Sequence, residues 1–133
     1  MVFRTIYVSS TRKPQSDDVI EEILATSRRN NRVQGLTGLL IYDGKRFLQY
    51  LEGEEGSVRD AIARIRADER HYALVVLSER QTARRQFAEW SMAGHRTEPG
   101  ETLAGSVRRL TRDCDPDVAS ELAGFAEVRT RAA

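Results

Sequence analysis

Residues 36–53, LTGLLIYDGKRFLQYLEG, restrict the fold more than any other part of the chain. Two apolar runs of strand length flank Asp43-Gly44, and Asp-Gly in that setting is the strongest short hairpin signal. Taken as a two-residue loop, it pairs Tyr42 with Lys45, Leu40 with Phe47 and Gly38 with Gln49. Side chains along a strand alternate between faces. Leu40, Phe47 and Leu51 therefore point one way, and Leu39, Ile41 and Leu48 the other. A sheet with one wet face would alternate apolar and polar residues. This hairpin needs cover on both faces.

The rest of the chain offers the cover. Val2 to Ser9 is β-branched and aromatic, as a first strand should be. Ser16 is a plausible N-cap, with Asp17 and Asp18 in the first turn. Val19, Ile20, Ile23 and Leu24 then recur on one helical face, and the helix is expected to end near Asn30-Asn31. A second helix from about Glu55 to Ala67 carries Val58, Ile62 and Ile65. His71 to Leu77 reads as a fourth strand, followed by a polar turn, and Phe87 to Met92 as a fifth. Residues 97–100 form a linker. Leu103, Val107 and Leu110 stripe a third helix. Asp115-Pro116 starts a fourth, striped by Val118, Leu122 and Phe125, with a frayed tail from Arg129. The order βαββαββ implies an α+β sheet with both crossover helices on one face. The two C-terminal helices, or a second subunit, would cover the other.

Composition excludes several classes. With 133 residues, one domain with a real core is expected. Lys and Arg number 21 against 20 Asp and Glu, interleaved, so no nucleic-acid arm is visible. The single cysteine, Cys114, leaves no internal disulfide and no cysteine-based zinc site. No charged leader precedes an apolar region, and no run approaches membrane-spanning length, so a cytoplasmic protein is expected.

The polar residues inside apolar segments carry the functional information. Gln49 stands among Phe47, Leu48, Tyr50 and Leu51, where an unpartnered amide costs roughly 1–3 kcal/mol. Tyr7 lies within the first strand. Asn30 and Asn31 close the first helix, and Trp90 and Met92 share a face. Taken singly, each has an ordinary role: a satisfied buried tyrosine, a helix C-cap, core filler, and for His71 a strand-edge histidine.

Together they resemble the BLUF domain, a blue-light sensor that uses a flavin. The resemblance rests on Tyr7 in the first strand, "NN" at the end of the first helix, "LTGLLIYDGKRFLQYLEG", "RADERH" and "FAEWSM". It covers about residues 2–95 in order. It implies a BLUF flavin-binding domain over 1–95 and a C-terminal helical cap over 96–133. The fold implied is α+β: a ferredoxin-like βαββαββ sheet with two helices on one face and the cap on the other. The resemblance also implies FAD as cofactor, with FMN or riboflavin as substitutes, lying between the two helices on the sheet.

Carried over residue by residue, the resemblance makes Tyr7 the photoactive tyrosine and Gln49 the switching glutamine. Asn31 and Asn30 would bond the pyrimidine edge. Ile23 and Ile65 would flank the ring. Arg64, Asp68, Arg70 and His71 would contact ribityl and phosphate, with Glu69 standing where the family usually has proline. Trp90 and Met92 would lie on the strand that rearranges near Gln49. The chain would be a photoreceptor and not an enzyme, signalling to an unknown downstream protein, a homodimer, and independent of nucleic acid and membrane. Two other classes compete: a small ferredoxin-like phosphate enzyme, for which the chain lacks a Gly-rich phosphate loop, and an interaction module that has lost its flavin.

Overall fold

A computed structural model describes residues 2–11, 16–69, 72–88, 93–96 and 99–131. The elements run β1 (Val2–Ser10), α1 (Asp17–Gln34), β2 (Thr37–Tyr42), β3 (Arg46–Gly53), α2 (Glu55–Ala67), β4 (Tyr72–Thr82), β5 (Ala93–Arg96), α3 (Leu103–Leu110) and α4 (Pro116–Arg131). The βαββαββ order and both C-terminal helices are as the sequence implies. The five-stranded sheet has the order β4-β1-β3-β2-β5. β1, β3, β4 and β2 pair antiparallel, and β5 runs parallel to β2.

The sheet is covered on both faces. On one, α1 and α2 lay Ile20, Ile23, Leu24, Val58 and Ala61 over Phe3, Tyr7, Leu40, Phe47 and Leu51. On the other, α3 and α4 lay Leu103, Val107, Val118 and Leu122 over Ile6, Val8, Leu39, Ile41, Leu48 and Tyr50. The chain thus covers its second face itself, and that face no longer calls for a second subunit.

Several elements differ from the sequence reading. α1 does not stop at Asn30-Asn31. It runs three residues further and ends on Gly35 at φ 69°, whose N–H reaches the carbonyl oxygens of Arg32 and Asn31. Glycine takes this left-handed cap without a Cβ penalty. The Ser16 cap holds, its hydroxyl accepting from the Val19 N–H at 3.3 Å. β4 continues through Ser78–Thr82, where a polar turn was expected. It is an edge strand, and such a strand tolerates a polar exterior. Of the expected Phe87–Met92 strand, Phe87 and Ala88 lie outside any strand and the remainder lies outside the described residues; a strand is present at Ala93–Arg96. Its sequence, AGHR, has no strand signature; what defines it is parallel pairing with Leu39–Tyr42. α4 reaches Arg131, past the expected fray point.

The hairpin loop is longer than two residues. Tyr42 pairs with Phe47, Leu40 with Gln49 and Gly38 with Leu51. The Asp43 carboxylate accepts from the Lys45 and Arg46 N–H groups at 3.0 and 2.8 Å, which favours the wider turn. The shift is two residues, so every side chain keeps its expected face. Gly38 does not stand opposite Gln49, and its role is different. A Cβ there would lie 2.1 Å from the Tyr50 carbonyl oxygen. Gly38→Ala must push β2 from β3 and should cost about 3 kcal/mol. A lowered urea midpoint with an unchanged slope would show it. A midpoint equal to wild type would mean that the strands part without penalty.

Candidate functional site

The site forms where β1 and β3 run side by side. Their register pairs Tyr7 with Gln49 directly. Directly opposed side chains on one face are neighbours, and the Tyr7 hydroxyl donates a hydrogen bond to Gln49 Oε1. Tyr7 is fully buried and Gln49 is 2% exposed. Burial pushes the Tyr7 phenol well above its usual range, so it holds its proton throughout the neutral range. With its carbonyl oxygen accepting from Tyr7, Gln49 keeps its two N–H donors for another acceptor.

The surroundings are apolar on the α1/α2 side. Ile23 of α1 and Ile65 of α2 belong to the same cluster as Tyr7, with Leu40 beside them. Asn31 is buried one turn before the end of α1, and Asn30 is half-buried. On the same sheet face as Tyr7, the Thr5 hydroxyl is buried and has no partner among the described residues. Arg64 is exposed on α2 and donates to Gln34 Oε1 at 2.9 Å. Asp68 caps α2, its N–H bonding the Ile65 carbonyl at 3.1 Å. The structure thus gathers Tyr7, Gln49, Ile23 and Ile65 into one cluster, with Asn30 and Asn31 at the end of α1. Arg64 and Asp68 stand at the C-terminal end of α2. Arg70, His71, Trp90 and Met92 lie outside the described residues.

This set fits a flavin. A flat ring with an apolar body needs aliphatic walls, which Ile23 and Ile65 would supply. Its pyrimidine edge alternates donor and acceptor, which a carboxamide can match. Among the described residues, Gln49, Asn31, Ser9 and the Thr5 hydroxyl, which has no partner among them, are polar groups buried on this side. Among the described residues no His, Cys, Asp and Glu cluster could hold a metal ion. No helix among them is long and apolar enough to cross a membrane.

The sequence reading missed two buried charges on the opposite face. Glu52 and Arg4 are both fully buried. Strand alternation alone points to them: Glu52 follows Leu48 and Tyr50, and Arg4 precedes Ile6 and Val8, at every second position. Arg4 donates to Ser78 Oγ at 3.0 Å and pairs with Glu121 of α4. Arg80 reaches the same carboxylate at 3.3 Å. Glu52 accepts from Thr37 Oγ1, the Gln86 N–H and the Phe87 N–H at 2.7, 2.7 and 2.8 Å. Cys114, half-buried on that side, has its thiol pushed up to about 11 by burial and then by Glu52 and neighbouring aspartates. It is a protonated thiol at neutral pH.

Residues 2–93 match the family described as sensors of blue-light using FAD, BLUF. The blue light- and temperature-regulated antirepressor BluF of Escherichia coli (strain K12) is 34% identical over 92 residues, 69% of this chain and 23% of that protein. The photoactivated adenylate cyclase subunit alpha of Euglena gracilis is 28% identical over 91 residues, 67% of this chain and 9% of that one. The chain therefore spans less than a quarter of either curated relative. Among solved structures, the dark state of BlrB, a BLUF protein, superposes with a TM-score of 0.73 at 29% identity and covers 96% of both chains.

Proposed function

This chain belongs to the BLUF family, the sensors of blue light using FAD, and from that premise we propose that it is a light switch worked by Tyr7 and Gln49, with its output carried by a separate protein. The observation behind this reading is the buried hydrogen bond from Tyr7 to Gln49, set among the apolar residues beneath α1 and α2. Bound flavin supplies the blue-light absorber and, when excited, an electron acceptor. FAD is the family's cofactor, with FMN or riboflavin as substitutes.

Asn31 and Asn30 hold the polar edge of the ring. Ile23 and Ile65 flank its body. Arg64 and Asp68, with Arg70 and His71 beyond them in sequence, meet the ribityl and phosphate. Tyr7 is the electron and proton source. A neutral phenol in an apolar wall can give up both and take both back. Gln49 carries a donor end and an acceptor end. Turning its amide over, or shifting it to the imidic tautomer, changes what Tyr7 receives and what Gln49 offers in the other direction. Two arrangements of similar free energy suffice for a switch. Trp90 and Met92, from the sequence, belong to the segment that responds.

The chain itself is a sensor and not an enzyme. The adenylate cyclase that it resembles is more than ten times the length matched. The output passes to an effector that responds to the sensor's state. Purified protein should be yellow and should show a reversible red shift of its flavin absorption under blue light. A colourless protein, or one whose spectrum ignores illumination, would overturn the reading.

The edge assignment has its own test. Asn31 is buried whereas Asn30 is half-buried. Removing one partner of a buried hydrogen bond costs roughly 1–3 kcal/mol, about tenfold to a hundredfold in affinity. Asn31→Ala should therefore weaken flavin binding more than Asn30→Ala in titrations of the two apoproteins. Equal affinities, or the reverse order, would mean that the ring edge lies elsewhere.

A further inference from the structure

Glu52 is a carboxylate buried at the end of the strand that carries Gln49. The two residues face opposite sides of the sheet, about 10 Å apart along β3. Gln49 faces α1 and α2; Glu52 faces α3 and α4. Glu52 spends both oxygens on other segments. Oε1 accepts the Gln86 N–H, and Oε2 accepts the Phe87 N–H and the Thr37 hydroxyl. Bonds to an ionised acceptor are about twice as strong as neutral ones, so residues 86 and 87 are bound to β3 through one side chain.

The same short segment is tied in three further directions. Arg85 donates to the Gly35 carbonyl at 2.7 Å, at the C-cap of α1, and to Thr37 Oγ1 at 3.0 Å. Gln86 makes a two-way clamp with Asp115, the residue that starts α4. Its Nε2 donates to Asp115 Oδ2 at 2.9 Å, and its Oε1 accepts the Asp115 N–H at 2.8 Å. Arg84 pairs with the same carboxylate. The Phe87 ring meets Tyr50 edge-on, with centroids 5.1 Å apart. Residues 84–87 thus join β3, the end of α1 and the start of α4. Packing of an apolar core needs no buried carboxylate for this, and hydrophobic residues would fill the volume at less desolvation cost.

We infer that Glu52 is a positioning residue of the photocycle: it couples the state of Gln49, through β3, to residues 84–87 and so to the N-terminus of α4. This rests on the photoreceptor reading above. Any displacement of β3 that accompanies the Gln49 rearrangement must carry the Gln86 and Phe87 amides with it. Return to the dark arrangement must restore them.

Glu52→Gln keeps shape but offers one acceptor where there were two, and turns an NH2 toward a backbone N–H. At least one of the Gln86 and Phe87 amides then loses its bond to β3. The red-shifted state should revert about fivefold faster or more, since each 1.4 kcal/mol removed from a barrier is tenfold in rate. Flavin affinity and the size of the red shift should stay at wild-type values. Thr37→Val removes one donor of the three and should speed reversion by a smaller factor. In the flavin-loaded wild-type protein, hydrogen exchange at the Gln86 and Phe87 amides should differ between dark and continuous blue light. A merely structural Glu52 would lower the melting temperature and leave reversion and light-dependent exchange untouched. If Glu52→Gln fails to fold, Thr37→Val and the wild-type exchange decide. A wild-type red shift with unchanged reversion in the variants, or with identical exchange in dark and light, overturns this inference alone. Absence of the red shift in the wild-type protein overturns it together with the photoreceptor reading.

Discussion

Tyr7→Phe and Gln49→Leu should both abolish the reversible red shift while leaving the protein folded and yellow. The hydroxyl and the carboxamide are the two ends of a single buried hydrogen bond. Each substitution nearly conserves apolar volume, and such changes usually cost under about 1.5 kcal/mol. Neither touches Ile23, Ile65 or Asn31, so flavin should still bind. The reasons for failure differ. Tyr7→Phe removes the proton and makes the ring a much poorer electron donor, so flavin fluorescence should rise. Gln49→Leu keeps the phenol but removes both the acceptor it bonds and the group that rearranges. Loss of the shift in both, with raised fluorescence in Tyr7→Phe, is the expected result in paired dark and lit spectra. A wild-type shift with wild-type reversion in either variant would sink the Tyr7–Gln49 mechanism for this chain.

Removal of residues 97–133 should leave a chain that aggregates. α3 and α4 cover Ile6, Val8, Leu39, Ile41, Leu48 and Tyr50. Burial of each such side chain contributes roughly 1.5–3 kcal/mol. Six of them amount to about 9–18 kcal/mol, against a typical total stability of roughly 5–15 kcal/mol. The truncation also takes Glu121 from Arg4, a guanidinium that packs 6.0 Å from the Tyr50 ring centroid. The flavin side keeps all its residues, so whatever fraction stays soluble should still colour with flavin. Light scattering and a thermal melt would measure the effect. A truncated chain as soluble and as stable as the parent would show that the helices are not the cover of this face.

Much of this was legible because strand alternation is local. Leu40, Phe47 and Leu51 against Leu39, Ile41 and Leu48 told from sequence that both faces needed cover, and the structure supplies two helices for each. The wrong loop length did no harm to that conclusion, since a two-residue slip preserves the faces. It did misplace Gly38. Expected opposite Gln49, it stands opposite Leu51, where its missing Cβ lets the β3 backbone come close. The strand at Ala93–Arg96 was not legible for another reason. AGHR has no propensity of its own and is a strand only because the edge of β2 offers parallel partners.

The sequence by itself determined the element order, the two apolar faces and the oddity of an amide at Gln49. Those follow from periodicity and from the cost of burying a polar group, which depend on neighbours along the chain. Only the tertiary structure decided what Gln49 bonds to. Tyr7 and Gln49 meet because β1 inserts between β3 and β4, a pairing between residues 42 apart in sequence. The same holds on the other face, where Arg4 finds Glu121 and Glu52 finds the Gln86 and Phe87 amides. A buried charge announces that it needs a partner. Which partner it takes is fixed by strand order and by the docking of distant helices, and no local pattern encodes either.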